Sequence, residues 1–165
     1  NDESLAKLVD AYNQMEEKGQ QQLHIFFSSH GGESAMAEAM IEMINRYSQN
    51  TTLTAHSFLE SSAFDIFFRV VCPRIILSTT VGCAHASRWL VHIMDGGVEL
   101  DSREAFKIKY MKDSLVPRMK FYKTLGMTDE ELEKINKGED LYFNAKRLQK
   151  MLNTQLKNEI HRTRA

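Results

Sequence analysis

The chain has 165 residues, 42% of them apolar and 26% charged, with 21 Lys and Arg against 22 Asp and Glu. That is one domain's length, enough to bury roughly 70% of the unfolded chain's surface, so a core is possible without staples. The balanced charge gives no electrostatic footprint for nucleic acid or for an anionic membrane, which excludes both as expected partners. Leu5, Leu8, Val9, Tyr12 and Met15 recur at helical spacing until Gly19 stops the pattern. Leu23 to Phe27 is a short apolar run that reads as a buried strand, followed by the turn Ser28-Ser29-His30-Gly31-Gly32. Met36, Met40, Ile41, Ile44 and Tyr47 mark the buried face of a second helix, and residues 51 to 57 read as a Thr-rich strand.

Ser61 to Val71 reads as a helix that is apolar almost all round, so it should be central and covered on most sides. Pro73 ends it, and Arg74 to Leu77 and Thr80 to His85 follow as short strands. Trp89 to Met94 is apolar, and Asp95-Gly96-Gly97 is a hairpin signal that returns through Val98 to Leu100. A long helix then runs from Asp101 or Ser102 to about Leu125, with Pro117 inside it as an expected kink or local defect. Thr128 and Glu131 predict a capping box for a short helix through Ile135. Leu141-Tyr142-Phe143 precedes a final helix from Asn144. Strands alternating with helices predict an α/β layered fold with parallel strands and a single domain over 1–165. Cys72 and Cys83 have neither metal nor disulfide spacing and read as small buried hydrophobes in a reducing compartment. No apolar run approaches the roughly 20 residues that span a bilayer. The start Asn1-Asp2-Glu3-Ser4 has no signal-peptide features and no initiator Met, so a cytoplasmic location and further residues upstream are expected.

Three places carry chemistry. Gly31-Gly32, between a strand and a helix, lets backbone approach a bound group and leaves N–H donors at a helix start, though the same pair also suits a plain structural turn. Glu60-Ser61-Ser62-Ala63 opens an apolar helix after a strand, the setting of a nucleophile elbow or of an ordinary N-cap serine. His85, at the end of a short strand, is the base such a serine would need. His24 and His56 fall within strands, His30 in the glycine turn, His92 in the hairpin and His161 in the tail, where structural or solvated roles suffice. No histidine pair has metal-ligand spacing in a helix, and neither a metal nor a cofactor is expected.

Taken together, Ile25 to Glu33, Leu59 to Phe64, Leu77 to His85 and Asp140 to Ala145 resemble, motif by motif, the proteolytic subunit of the Clp protease, the caseinolytic serine peptidase family. The resemblance covers roughly residues 5 to 146. It implies a ClpP/crotonase-like spiral of repeated β-α-β units with a protruding handle over 88–125 and a C-terminal helix and basic tail over 146–165. It implies a triad of Ser62, His85 and Asp140, with oxyanion donors at the backbone N–H groups of Gly32 and Ala63. Ser61 is the alternative nucleophile. Anchoring on Ser62 keeps the apolar helix face in register but puts Phe64 where the family has a small glycine, whereas Ser61 does the reverse.

The chain departs from the family pattern at several points. His30 replaces a proline before Gly-Gly, Ser78 replaces another before the histidine strand, and Glu60 replaces a small residue beside the nucleophile. The closing strand after the last helix and the segment that docks an ATP-dependent unfoldase are absent from these residues, so that partner is not assumed. The implied function is serine endopeptidase cleavage of peptides or unfolded polypeptide inside a homo-oligomeric ring or a stack of such rings. A catalytically inactive Clp-like assembly protein and a crotonase-type acyl-CoA enzyme are the competing readings.

Overall fold

The computed structural model describes residues 2–86 and 102–163. The apolar stripe of the first segment forms α1 (Asp2–Glu17), which buries Leu8, Tyr12 and Met15. Period-two alternation then appears in β1 (Leu23–Ser29): Phe27 is buried and Leu23 and Ile25 half-buried, while His24, Phe26 and Ser28 face outward. Helix α2 (Ser34–Arg46) buries Ala37, Ile41 and Ile44. A single 3₁₀ turn (Ser48–Asn50) leads to β2 (Thr51–Glu60), longer than the Thr-rich run predicted. Helix α3 (Ser62–Arg69) is buried at every residue from Ser62 to Phe68, as expected of a helix apolar almost all round. Strands β3 (Arg74–Ile76) and β4 (Val81–Ala84) follow. The remaining elements are α4 (Ser102–Thr124), α5 (Asp129–Asn136), β5 (Leu141–Asn144) and α6 (Ala145–Thr163). Pro117 lies within α4, which continues past it. The predicted hairpin over 89–100, much of the handle, falls outside the described residues.

The strand order is β1-β2-β4-β5, with β3 also paired to β2. Strand β2 is parallel to β1, β3 and β4, the arrangement predicted from alternating strands and helices. The chain forms two compact units, one of Asn1–Ala84 with Tyr142–Leu152 and the other of His85–Leu141 with Asn153–Ala165.

In the first unit, α1 packs on β1 and α2, α2 on α3, and α3 on β2 and β4, a helical layer over one sheet face. Its core centres on Phe64, which packs against Phe68 at 4.7 Å and Phe143 at 6.0 Å between ring centroids. Gly82 is matched to this packing, because a Cβ there would stand 2.6 Å from Leu148. The Tyr12 hydroxyl meets Thr51 Oγ1 at 3.0 Å, and Thr51 Oγ1 donates to the Tyr47 carbonyl, so the buried polar groups are paired. On the opposite sheet face Phe26, Phe58, Ile75 and Val81 are exposed.

In the second unit, Thr128 and Glu131 form the predicted capping box: the Glu131 N–H donates to Thr128 Oγ1, and the Thr128 N–H donates to the Glu131 carboxylate. Gly126, at φ 80°, ends α4 over Thr154 of α6, and Asn158 Nδ2 donates to the Thr124 carbonyl.

Candidate active site

The site begins with a register change. Phe27 pairs with Ala55, but Ser29 pairs with Leu59, so β2 gains two residues on β1 across this step. The extra length is absorbed where Ser57 takes a φ of 57°, a bulge that re-aims the strand end. Because the gain is two, inward and outward faces are kept. The continuation sets His30 beside Glu60 and Gly31 beside Ser61.

Ser61 turns the chain from β2 into α3 with φ 56° and ψ −126°. A non-glycine residue held in that region costs on the order of 1–3 kcal/mol and persists only where the surroundings impose it. The surroundings are visible. The Ser61 N–H donates to the Cys83 carbonyl at 2.9 Å, and the Ser61 carbonyl accepts from Phe64 at 3.1 Å and Asp65 at 3.3 Å. An ordinary N-cap serine has extended backbone and a side chain that accepts from the helix. Ser61 has neither, since its side chain makes no capping hydrogen bond. Ser62, by contrast, is the first residue of α3 and is only 7% exposed.

The glycine turn closes on this corner. A Cβ on Gly31 would lie 2.6 Å from Ser61 Cβ, 2.7 Å from the Glu60 carbonyl oxygen and 3.0 Å from Ser62 N. With φ at 93°, Gly31 is required both by conformation and by space. Its N–H donates to Ser29 Oγ at 3.0 Å. The next amide, that of Gly32, stands ahead of α2, whose N-cap Glu33 makes no side-chain cap. First-turn N–H groups of α3 and the Gly32 amide are the donor types that stabilise an oxyanion. Beside them a cavity of about 470 Å³ is walled by Leu8, Ile25, Phe27, Met36, Met40 and Ser62 among others. Those walls suit an apolar side chain.

Ser61, Ser62, Ala63, Gly31 and Gly32 are thus brought together in the first unit. His85 and Asp140 belong to the second. His85 follows β4 directly and is half-buried, and its Nδ1 donates to the Ala86 carbonyl at 2.6 Å. That bond leaves Nε2 as the nitrogen able to take a proton. Asp140 is exposed and immediately precedes β5. His24 and His56 lie on β1 and β2, and His56 Nδ1 reaches Ser57 Oγ at 3.3 Å. His92 and the side chain of His161 lie outside the described residues. Cys72 and Cys83 are free and buried, and burial pushes the Cys72 thiol above its ordinary range. No helix among the described residues is long and apolar enough to cross a membrane.

No protein-family model and no curated protein sequence matches the chain. Solved structures do. A ClpP1 mutant from Listeria monocytogenes superposes with a TM-score of 0.66 over 92% of this chain and 81% of that one, at 16% identity. The fold is ClpP-like. A peptidase from Plasmodium falciparum aligns with a TM-score of 0.62, 12% identity, and coverage of 90% and 85%. At such identities the likeness is one of backbone architecture, and what the ClpP-like fold does here rests on its own residues.

One feature of the site is not legible in the motifs. His30 Nδ1 and Glu60 Oε2 stand 2.6 Å apart across the turn and the strand end. The resemblance to the Clp pattern shows them only as separate departures from it. The signal that joins them is the two-residue gain in β2, which sequence periodicity does not display.

Proposed function

We propose that the chain is a serine peptidase subunit of the Clp type, cleaving peptides or unfolded polypeptide, with Ser61 as the nucleophile. The observation that carries this reading is the Ser61 corner: a strained strand-to-helix turn, without a capping bond, packed against Gly31. Ser62, the residue favoured from the aligned helix face, sits one step into α3 and lines the apolar cavity. In the reaction Ser61 attacks the scissile carbonyl, His85 takes the proton through Nε2 and returns it to the leaving amine, and Asp140 steadies the imidazolium. The developing oxyanion is held by the Gly32 amide and a first-turn amide of α3, that of Ser62 beside Ser61 or of Ala63 if Ser62 attacks. The apolar cavity favours a substrate with an apolar side chain next to the cleaved bond. The exposed Phe26, Phe58, Ile75 and Val81 fit a surface that assembly into a homo-oligomeric ring would cover.

A fluorophosphonate probe with peptide mapping tests the assignment. The adduct is expected on Ser61, lost in Ser61→Ala and strongly slowed in His85→Ala, and kept in Ser62→Ala. An adduct on Ser62 moves the nucleophile by one residue. Absence of any adduct on the assembled wild-type protein refutes the peptidase reading. It would favour the non-enzymatic assembly reading, which the bond between His85 Nδ1 and a backbone carbonyl also suits.

A further inference from the structure

We propose that His30 and Glu60 form a latch that holds the glycine turn against the Ser61 corner, making them positioning residues for the oxyanion-binding amides. The inference rests on the peptidase reading for its catalytic consequence, but its structural half stands alone. Chain order separates the two residues by 30 positions, and only the two-residue gain of β2 on β1 makes them neighbours. Had the register of Phe27 with Ala55 continued, His30 would face Phe58 and Gly31 would face Leu59. The bulge at Ser57 therefore creates the pairing of Gly31 with Ser61 and that of His30 with Glu60 in one step.

Each link in the turn is weak by itself. Ser28 Oγ accepts the Phe58 N–H at 3.1 Å, and Ser29 Oγ accepts the Gly31 N–H at 3.0 Å. Two consecutive glycines remove the side chains that would otherwise restrict the loop, and glycine loses the most freedom on ordering. The side-chain tie across the turn is the His30–Glu60 bond. Its carboxylate is 21% exposed and its imidazole 69% exposed. The imidazole is further confined by Phe58, whose ring centroid lies 4.5 Å away at an interplanar angle of 32°. A proline at the position of His30, as in the Clp pattern, would stiffen the turn covalently by fixing φ. In this chain a hydrogen-bonded pair supplies the restraint instead. The two departures from the pattern thus meet in one contact across the turn.

A latch predicts a particular kinetic and dynamic signature. An oxyanion donor acts on the transition state, so its mispositioning lowers kcat and leaves KM nearly unchanged. His30→Ala, Glu60→Ala and the double variant are compared with wild type by phosphonate labelling, by peptide hydrolysis, and by amide hydrogen exchange of the segment spanning 28–33. A charge-assisted hydrogen bond at this degree of exposure supports a fall in labelling of about five- to tenfold for each single variant. The double variant is expected to fall no further than the singles, because both remove the same tie. Exchange at Gly31 and Gly32 should quicken in all three, and Glu60→Gln, which keeps an acceptor, should recover most of the loss. Independent multiplication of the two single effects overturns the proposal, as does unchanged exchange at the glycines. Faster labelling in Glu60→Ala would also overturn it, because Glu60 would then obstruct the corner instead of holding it. If the wild-type protein takes no label, the peptidase reading fails while hydrogen exchange still decides the latch.

Discussion

Replacing Gly31 by alanine separates two costs that the structure lets one weigh. The first is conformational. At φ 93° an L side chain is strained by roughly 1–2 kcal/mol. The second is steric: the added Cβ meets Ser61 Cβ at 2.6 Å and the Glu60 carbonyl at 2.7 Å. Both obstacles are stiff, one being backbone and the other a Cβ held by the strained Ser61 corner, so the turn itself must retreat by about 1 Å, and a misplacement of that size can cost about 10²-fold in rate. Gly19→Ala is the matched reference. It carries a left-handed φ of 61°, has no atom within 4 Å of the added Cβ, and lies in the same unit at the end of α1. Urea unfolding should therefore show both variants destabilised by the conformational part and Gly31→Ala by more. Phosphonate labelling should fall about 10²-fold in Gly31→Ala, the scale for losing one oxyanion donor, and stay near wild type in Gly19→Ala. Equal stabilities and equal labelling rates for the two variants would refute the reasoning, because the glycine turn would then not bear on Ser61.

Two further outcomes follow from local geometry. Thr128→Ala removes the oxygen that accepts the Glu131 N–H, and should destabilise the protein by about 1 kcal/mol, read from chemical denaturation followed by circular dichroism, with phosphonate labelling unchanged. Cys72, 2% exposed and with its thiol pushed up by burial, should resist thiol reagents in the native protein near neutral pH and react once urea unfolds it. Raising the pH toward the ordinary thiol range increases the thiolate fraction of the unfolded chain before that of the folded one. Stability attributable to this group is therefore present below that range and lost above it.

Helix positions were legible because helical periodicity and end signals agree. Leu8, Tyr12 and Met15 fall on one stripe of α1, Gly19 stops it, and the Thr128–Glu131 pair announces α5. The central burial of α3 was legible too, since a helix bearing Phe64, Ile66, Phe67 and Phe68 is apolar almost all round. The choice between Ser61 and Ser62 was not. Two adjacent serines differ by one residue of helix phase, and composition says nothing about which of them turns the corner. That is a property of backbone angle, set by the hydrogen bond from the Ser61 N–H to the Cys83 carbonyl on another strand. Side-chain pattern along α3 favours Ser62, and backbone strain at the strand end favours Ser61, because packing and turning are different demands made on neighbouring residues.

The register gain in β2 explains why the site's neighbours were hard to see. A slip of two leaves the in-and-out alternation of Leu53, Ala55 and Leu59 intact, so the side-chain pattern along β2 is the same whether or not the slip is present. Only a change of one would have shown as a break in the pattern. The consequence is that Glu60, which looks from sequence like a charge intruding beside a nucleophile, is diverted to His30 instead of facing the site unpaired. A carboxylate left free at that corner would repel the oxyanion that forms during acyl transfer. In this chain that carboxylate lies 2.6 Å from His30 Nδ1 across the turn. The same bulge thus brings Gly31 to Ser61 and His30 to Glu60, so a single backbone feature at Ser57 sets both neighbours of the corner.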